Sequence, residues 1–176
     1  MKLLLALAVL LSLAAPRPTE RDKSAAAKSC IPVATLVTPA AFHKYATSAI
    51  WRGPWHKPDV QSGVAHLYRT VVRSEAVGPP DFAGQYKVVR LGCGAGLTCP
   101  LIADLKTGKI LFVPALGSVA GSLSIAEIPG IDDPRLVYRA DSRLLVAVGA
   151  RNEKERLTGA TLFEMRHDHL HLIRFI

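Results

Sequence analysis

The sequence contains few cysteines, few aromatic residues and no long hydrophobic run. Only three residues are Cys and only 6% are aromatic, in a chain of 176 residues. The longest apolar stretch, residues 3–13, is broken by Ser12 and is shorter than the about 20 residues that a membrane-spanning helix needs. A domain of roughly 150 residues can bury a sufficient core without a metal or disulfides. Folding therefore does not require the cysteines, and no transmembrane segment is predicted.

The charged residues are unbalanced but scattered. The chain has 22 Lys and Arg against 14 Asp and Glu, which gives a formal net charge of +8. No window reads as a run of Lys and Arg, so no nucleic-acid-binding surface is predicted. The excess fits a loose attraction to the anionic polymers or lipid headgroups of a cell envelope. The 49% hydrophobic and 20% charged residues indicate one globular domain and exclude a disordered, collagenous or multi-domain chain.

The first residues have the pattern of a secretory signal peptide. Lys2 is followed by the apolar stretch 3–13 and then by the small residues Ala14 and Ala15. We predict a signal peptide over residues 1–14 with cleavage after Ala14. An alternative cleavage after Ala27 lies farther from the apolar core. The protein is thus expected to be periplasmic or secreted.

The mature chain is predicted to consist of a leader and one domain. Residues 15–30 are too polar to be buried, so we expect them to form a flexible charged leader. Residues 31–176 form the single globular domain. Cys30 is preceded by Lys28 where a lipid-attachment motif has small or apolar residues, and this favours soluble export over a lipid anchor.

Export makes the pairing of the three cysteines a structural question, because thiols oxidise outside the cytoplasm. Cys93 and Cys99 bracket a short loop, so we favour a local disulfide between them and leave Cys30 as the odd thiol. Pairing of Cys30 with either of the other two is the alternative. The loop between Cys93 and Cys99 is a weak candidate for binding an anion through its backbone amides, and otherwise it is a constrained hairpin. Its small residues are Gly94, Ala95 and Gly96.

One helix is predicted near the start of the domain. Thr38 has the features of an N-cap, Pro39 suits the first helical position, and apolar residues continue at helical spacing to Ile50. A Gly-Pro pair at residues 53–54 then ends the helix. Two tryptophans, Trp51 and Trp55, flank this exit, and they either cover the edge of the core or form a weak ligand-stacking pair.

The remainder of the domain is predicted to be a β-sheet. Short β-branched and aromatic runs alternate with turn signals at close spacing. Residues 117–130 are small and polar enough to be one long connection. The fold class is therefore α+β: a mainly antiparallel sheet of about eight strands, curved or barrel-like, with one N-terminal helix and no nucleotide-binding βαβ unit. The predicted strands cover residues 66–73, 85–91, 100–105, 109–114, 135–140, 143–149, 159–166 and 170–175.

A central stretch of the chain resembles a group of small uncharacterised exported proteins of Gram-negative bacteria. Residues 78–89 read GPPDFAGQYKVV, followed by GCG at 92–94 and ADLKTGK at 103–109, and DSRLLV at 141–146 matches a later motif. The group has the pattern GPNFAGxYxVVxWGCGxxC…DxxTGxV. Here Leu91 stands where the pattern has Trp, and Leu97 stands where it has the second Cys. The resemblance implies a periplasmic β-rich domain and no particular activity.

Three histidines at alternate positions are the densest set of metal-ligand residues. His167, His169 and His171 would share one face of an uninterrupted strand, as a zinc or copper site requires. A turn at 168–169 would instead place them on opposite arms of a hairpin and leave at most a weak surface site. Asp132 and Asp133 precede a proline and read as a turn rather than as an acid–base pair. No catalytic residue and no cofactor is predicted.

Three functions remain open from the sequence. The favoured one is a non-enzymatic binding or inhibitor module that engages an envelope partner through a sheet face or the cysteine loop. Small exported lysozyme inhibitors offer a fold-level analogy, because they also combine a sheet with a cysteine-bearing loop. The alternatives are an envelope structural or assembly factor linked through Cys30, and an enzyme of unknown type with a histidine metal site.

Overall fold

The computed structural model describes residues 33–121 and 133–176. These residues form four short helices, two 3-10 turns (Pro114–Leu116 and Glu155–Leu157) and eight strands. The helices are α1 (Val33–Leu36), α2 (Pro39–His43), α3 (Gly63–Leu67) and α4 (Arg69–Glu75). The strands are β1 (Tyr86–Gly94), β2 (Leu97–Asp104), β3 (Ile110–Phe112), β4 (Val119–Ala120), β5 (Leu136–Tyr138), β6 (Leu144–Arg151), β7 (Thr158–Arg166) and β8 (His169–Phe175).

All eight strands belong to one antiparallel sheet. Its order is β1-β2-β4-β6-β7-β8, with β3 also paired to β2 and β5 also paired to β6. The prediction of a mainly antiparallel sheet of about eight strands is therefore confirmed. Within the described residues β1 and β8 are the two end strands, so the sheet is open and does not close into a barrel.

The sheet is curled, so that its two halves share one core. Val88 and Ile102, from β1 and β2, lie in the same buried cluster as Leu145 and Phe163, from β6 and β7. Side chains from strands that are distant in the sheet can meet in this way only when one face is concave. Fully buried Phe82, from the segment before β1, joins this cluster.

Each half of the convex face is covered by a pair of helices. Leu36 and Phe42, from α1 and α2, pack on β6 and β7. Ala65 and Val72, from α3 and α4, pack on β1 and β2. Because both faces of β6 are buried, its sequence is a nearly continuous hydrophobic run rather than an alternating one.

The helix predicted up to Ile50 is shorter in the structure, and it is not the single helix of the domain. The N-cap prediction is confirmed, because Thr38 Oγ1 accepts a hydrogen bond from the Ala41 N–H at 3.2 Å. The helix ends at His43, and beyond it the backbone bonds to another part of the chain. The Thr47 N–H donates to the Asp141 carbonyl at 2.9 Å, which replaces a helical hydrogen bond.

The strand predicted over residues 66–73 is wrong, because these residues lie in α3 and α4. Val71 and Val72 favour a strand by intrinsic propensity. In the helix Val72 is fully buried, and Ala76 packs beside it against β1 and β2. This packing outweighs the local preference, as tertiary contacts often do for short helices.

The other predicted strands are present with ends shifted by a few residues. β4 was not predicted, because it consists of two residues inside the expected connection 117–130. The remainder of that connection, residues 122–130, lies outside the described residues, as do the predicted signal peptide, the leader and Cys30. The disulfide between Cys93 and Cys99 is confirmed, and it joins β1 to β2 near the end of their hairpin.

Candidate functional site

The candidate site is a cleft at the end of the sheet where β1 begins and β7 ends. It has a volume of about 810 Å³, which is within the range of small-ligand sites. One wall is the extended segment 46–53, and the opposite walls come from residues 83–86, Lys106, Arg143 and residues 165–167. We call it the cationic cleft, for the side chains described below.

Backbone hydrogen bonds hold the wall segment 46–53 in place. In addition to the bond from Thr47, the Trp51 N–H donates to the Gly84 carbonyl at 2.6 Å. Gly84 has φ +81°, and a Cβ there would lie 2.4 Å from the Ala49 carbonyl oxygen. Glycine is therefore required at position 84 both by the turn before β1 and by the close approach of this wall.

The charged residues that line the cleft are basic. Glu164, which is buried and outside the lining, pairs with two of them, through Arg143 Nη2 at 3.3 Å and Arg166 Nη2 at 2.5 Å. The hydrogen bond to Glu164 raises the pKa of Arg166. One carboxylate thus faces two guanidinium groups, and both arginines remain about half exposed. The basic lining residues are Arg52, Lys106, Arg143, Arg166 and His167, and no Asp or Glu is among the described lining residues.

Tyr86 lies at the floor of the cleft and connects the two ends of the sheet. Its hydroxyl donates to Asp168 Oδ1 in the turn between β7 and β8. Burial raises the pKa of the Tyr86 phenol, and the hydrogen bond and negative charge of Asp168 raise it further. Tyr86 therefore stays neutral and fixes the turn next to the cleft.

Trp51 provides an aromatic surface on the wall of the cleft. The Gly53 backbone lies against its ring, since a Cβ on Gly53 would be 2.1 Å from Trp51 Cζ2. On the ring face, Lys106 Nζ is 5.1 Å from the ring centroid, within the range of a cation–π contact. Trp51 also lines a smaller neighbouring cavity of about 350 Å³ together with Trp55, Pro79 and Pro80. The structure thus brings the two predicted tryptophans together, and a role in ligand binding stays a prediction.

The cysteine loop lies at the other end of β1. Its residues Gly94, Ala95 and Gly96 are exposed at the tip of the β1–β2 hairpin. β1 spans nine residues from Tyr86 to Gly94, so the tip and Tyr86 are about 25 Å apart along the extended strand. The loop and the cationic cleft are therefore separate features, and anion binding by the loop stays a prediction.

The histidines adopt the hairpin arrangement, the second of the two alternatives from the sequence. The turn is His167-Asp168, one residue earlier than expected, and both residues have positive φ. His169 and His171 are alternate residues of β8, with ring centroids 6.3 Å apart, and His167 belongs to the turn. In the part of the chain that the structure describes, no three His, Cys, Asp or Glu side chains are arranged to hold a metal ion.

Asp133 is part of an ion pair. Burial raises its pKa, but hydrogen bonds from Arg135 and the charge of Arg90 outweigh this effect and lower the pKa overall. The Arg135 Nε donates to Asp133 Oδ1 at 2.8 Å. Asp132, the other half of the aspartate pair considered from the sequence, lies outside the described residues. Asp133 therefore serves as an ion-pair partner rather than as a proton donor.

The basic residues of the cleft were not identified from the sequence. Arg52, Lys106, Arg143 and Arg166 are spread over more than a hundred positions and belong to no motif. They converge only because the sheet curls and the wall segment crosses its end.

Comparison with protein-family models, curated proteins and solved structures gives no match. None of the described helices has the length and apolar character to span a membrane.

Proposed function

We propose that this chain is an exported, non-enzymatic binding module that engages an envelope protein through its cationic cleft. The observation that carries the proposal is the convergence of four Arg and Lys side chains on one cleft without a carboxylate in its described lining. Such a cleft favours a negatively charged group, because its positive potential is only partly compensated by Glu164.

The ligand class is an acidic side chain or carboxyl terminus presented by the partner. Arg143 and Arg166 have planar guanidinium groups that bind carboxylates in a two-pronged geometry. The ion pairs with Glu164 restrain both groups, so less conformational freedom is lost when a second carboxylate binds. The indole ring of Trp51 supplies an apolar contact for the aliphatic part of the same residue.

The titratable groups in the lining of the cleft support binding without catalysis. Among the described lining residues, the Tyr86 hydroxyl already donates to Asp168, and no carboxylate accompanies His167. A general acid–base pair needs two such groups within reach of a substrate. The disulfide fits an oxidising compartment, and the signal-peptide pattern and the resemblance to exported proteins support export to the periplasm.

A peptide-binding experiment tests this function. A fluorescent pentapeptide of Glu is titrated with the protein, and a Gln pentapeptide is the neutral reference. The double variant Arg52→Gln/Lys106→Gln removes two exposed charges that have no role in the Glu164 ion pairs. We expect its affinity for the Glu peptide to fall about tenfold.

The matched control is Arg73→Gln/Lys154→Gln, which changes the net charge equally at exposed positions outside the cleft. It is expected to retain at least most of the affinity. Equal losses in both double variants would show nonspecific attraction and contradict the proposal. Equal binding of the Glu and Gln peptides would contradict it as well.

A further inference from the structure

The outer edge of β8 is an open backbone edge. β8 pairs with β7 on one side and is the last strand of the sheet. No described residue pairs with the other side. The opposite edge of the sheet, at β1, is covered: the Val88 N–H donates to Asp81 Oδ1 at 2.9 Å and the Arg90 N–H to Glu75 Oε2 at 3.3 Å. A long uncovered edge can accept a further strand.

The same strand exposes apolar side chains. Leu172 is 53% exposed, Ile173 37% and Phe175 40%. These are three of the seven large hydrophobic side chains that are exposed in the described residues. Apolar residues beside unpaired backbone groups are typical of edges that bind an extended segment of another protein.

A groove runs along β8 on the side of α1 and α2. It has a volume of about 330 Å³, lies over Leu144 of β6 and Leu162 of β7, and reaches β8 at Ile173 and Arg174. Its helix side is formed by residues that include Leu36, Lys44 and Tyr45. Alternate side chains of a strand added to β8 would lie on the same face of the sheet as this groove, next to Ile173 and Arg174 at its border, because side chains of a strand alternate between faces. Backbone hydrogen bonds would thus supply affinity, and the groove would supply selectivity.

Charge identifies the kind of segment that fits. β8 carries Arg174, His169 and His171 and no carboxylate, and Lys44 is the other charged residue of the groove. Pairing with β8 of a second copy would place these basic residues next to each other, in a protein with a formal net charge of +8. An acidic segment is complementary, so a heterologous partner is favoured over a dimer.

We infer that the outer edge of β8 binds an extended acidic segment of a partner protein, in which acidic and apolar residues alternate. This inference goes beyond the proposed function, because it uses residues outside the cationic cleft. It gives the module a second site of contact, which recognises a strand rather than a single acidic group.

The test uses a seven-residue peptide of alternating Val and Glu, which matches the length of β8. Its binding to the full chain is followed by fluorescence anisotropy and by amide hydrogen exchange. We expect saturable binding and slowed exchange at the β8 amides that do not donate to β7. A peptide of alternating Val and Lys, and a Val-Glu peptide with methylated backbone nitrogens, are expected to bind at least about tenfold more weakly.

Charge reversal locates the contact. Lys44→Glu/Arg174→Glu alters two exposed residues of the groove and should reverse the preference from the Glu peptide to the Lys peptide. Arg73→Glu/Lys154→Glu is the matched control and should keep the preference. The cleft variant Arg52→Gln/Lys106→Gln should also keep it, so that failure of the cleft and failure of the edge are told apart.

Three outcomes would overturn the inference. The methylated peptide could bind as well as its parent, which would exclude strand pairing. The β8 amides that do not donate to β7 could be protected before any peptide is added, which would show that the outer edge is already occupied, by a second copy if sedimentation detects a dimer and by this chain itself if it detects a monomer. The groove variant could keep the preference of the unmodified chain, which would place the acidic segment elsewhere.

Discussion

The two edges of the sheet differ in how their backbone groups are covered. At β1, the carboxylates of Asp81 and Glu75 accept hydrogen bonds from the strand, and Phe82 forms a bridge with Tyr86. At β8, the outer backbone groups have no described partner and apolar side chains are exposed. Proteins usually cover or charge such edges because they promote aggregation. Among the described residues, one edge of the sheet is therefore covered and the other is open, and this difference is the basis of the inferred strand-binding edge.

The largest expected effect compares two phenylalanines, one at each edge. Phe82 is fully buried beside β1, so Phe82→Ala should lower the free energy of unfolding by about 3–5 kcal/mol. Phe175 on β8 is 40% exposed, so Phe175→Ala should cost about 1 kcal/mol or less. Urea unfolding of both variants measures the difference. Equal losses would show that the β8 edge is covered in solution.

The disulfide is expected to have an intermediate effect at the β1 side. Cys93→Ser/Cys99→Ser removes a small covalent ring, and loop-closure entropy assigns such a ring about 2 kcal/mol. Thermal unfolding of this variant, with the oxidised unmodified chain as reference, measures the loss, and the reduced unmodified chain should resemble the variant. Amide exchange at β8 should stay unchanged, because the disulfide joins only β1 and β2. A change confined to β8 would contradict this assignment.

The smallest expected effect concerns the carboxylate that covers β1. Asp81→Ala leaves the Val88 N–H without its acceptor and should cost about 1 kcal/mol. Asp81→Asn keeps an acceptor and should recover most of this loss. Urea unfolding at several pH values measures both variants, because the Asp81 carboxyl also makes stability depend on pH.

The sign of the pH dependence follows from the direction of the pKa shift. Burial raises the pKa of Asp81, although the Val88 N–H and Lys87 oppose the shift. The folded state therefore holds the proton more tightly than the unfolded state. The stability that this provides is present below about pH 4 and is lost as the pH rises through the folded pKa. The unmodified chain should thus lose stability relative to Asp81→Asn above pH 4, and a constant difference would contradict the direction.

Much of the sheet could be predicted from the sequence because its signals are local. The Gly108 turn, with φ +78°, has its cause within a few residues, and so does the turn between β7 and β8, which lies one residue earlier than predicted. The short spacing of Cys93 and Cys99 likewise limits their pairing. The helical residues 63–75 could not be predicted, since Val72 takes its conformation from contacts with β1 and β2.

Whether the residues of a candidate site could be recognised from the sequence depended on how close together they lie in the chain. Trp51 and Trp55 are close in sequence, so the sequence indicates them as a pair, and the structure places both around one cavity. The basic residues of the cationic cleft were missed because nothing in their spacing relates Arg52 to Arg166. The histidine cluster was visible in the sequence, but the turn conformation removed His167 from the strand that holds the other two.

The sequence by itself determined the strand-rich character, the turns, the N-cap at Thr38 and the local disulfide, because each arises from contacts within a short stretch of chain. Only the tertiary structure decided the curl of the sheet, the placement of the helices and the difference between the two edges. These features depend on which distant surfaces bury each other. The cationic cleft and the open edge of β8 are consequences of that burial.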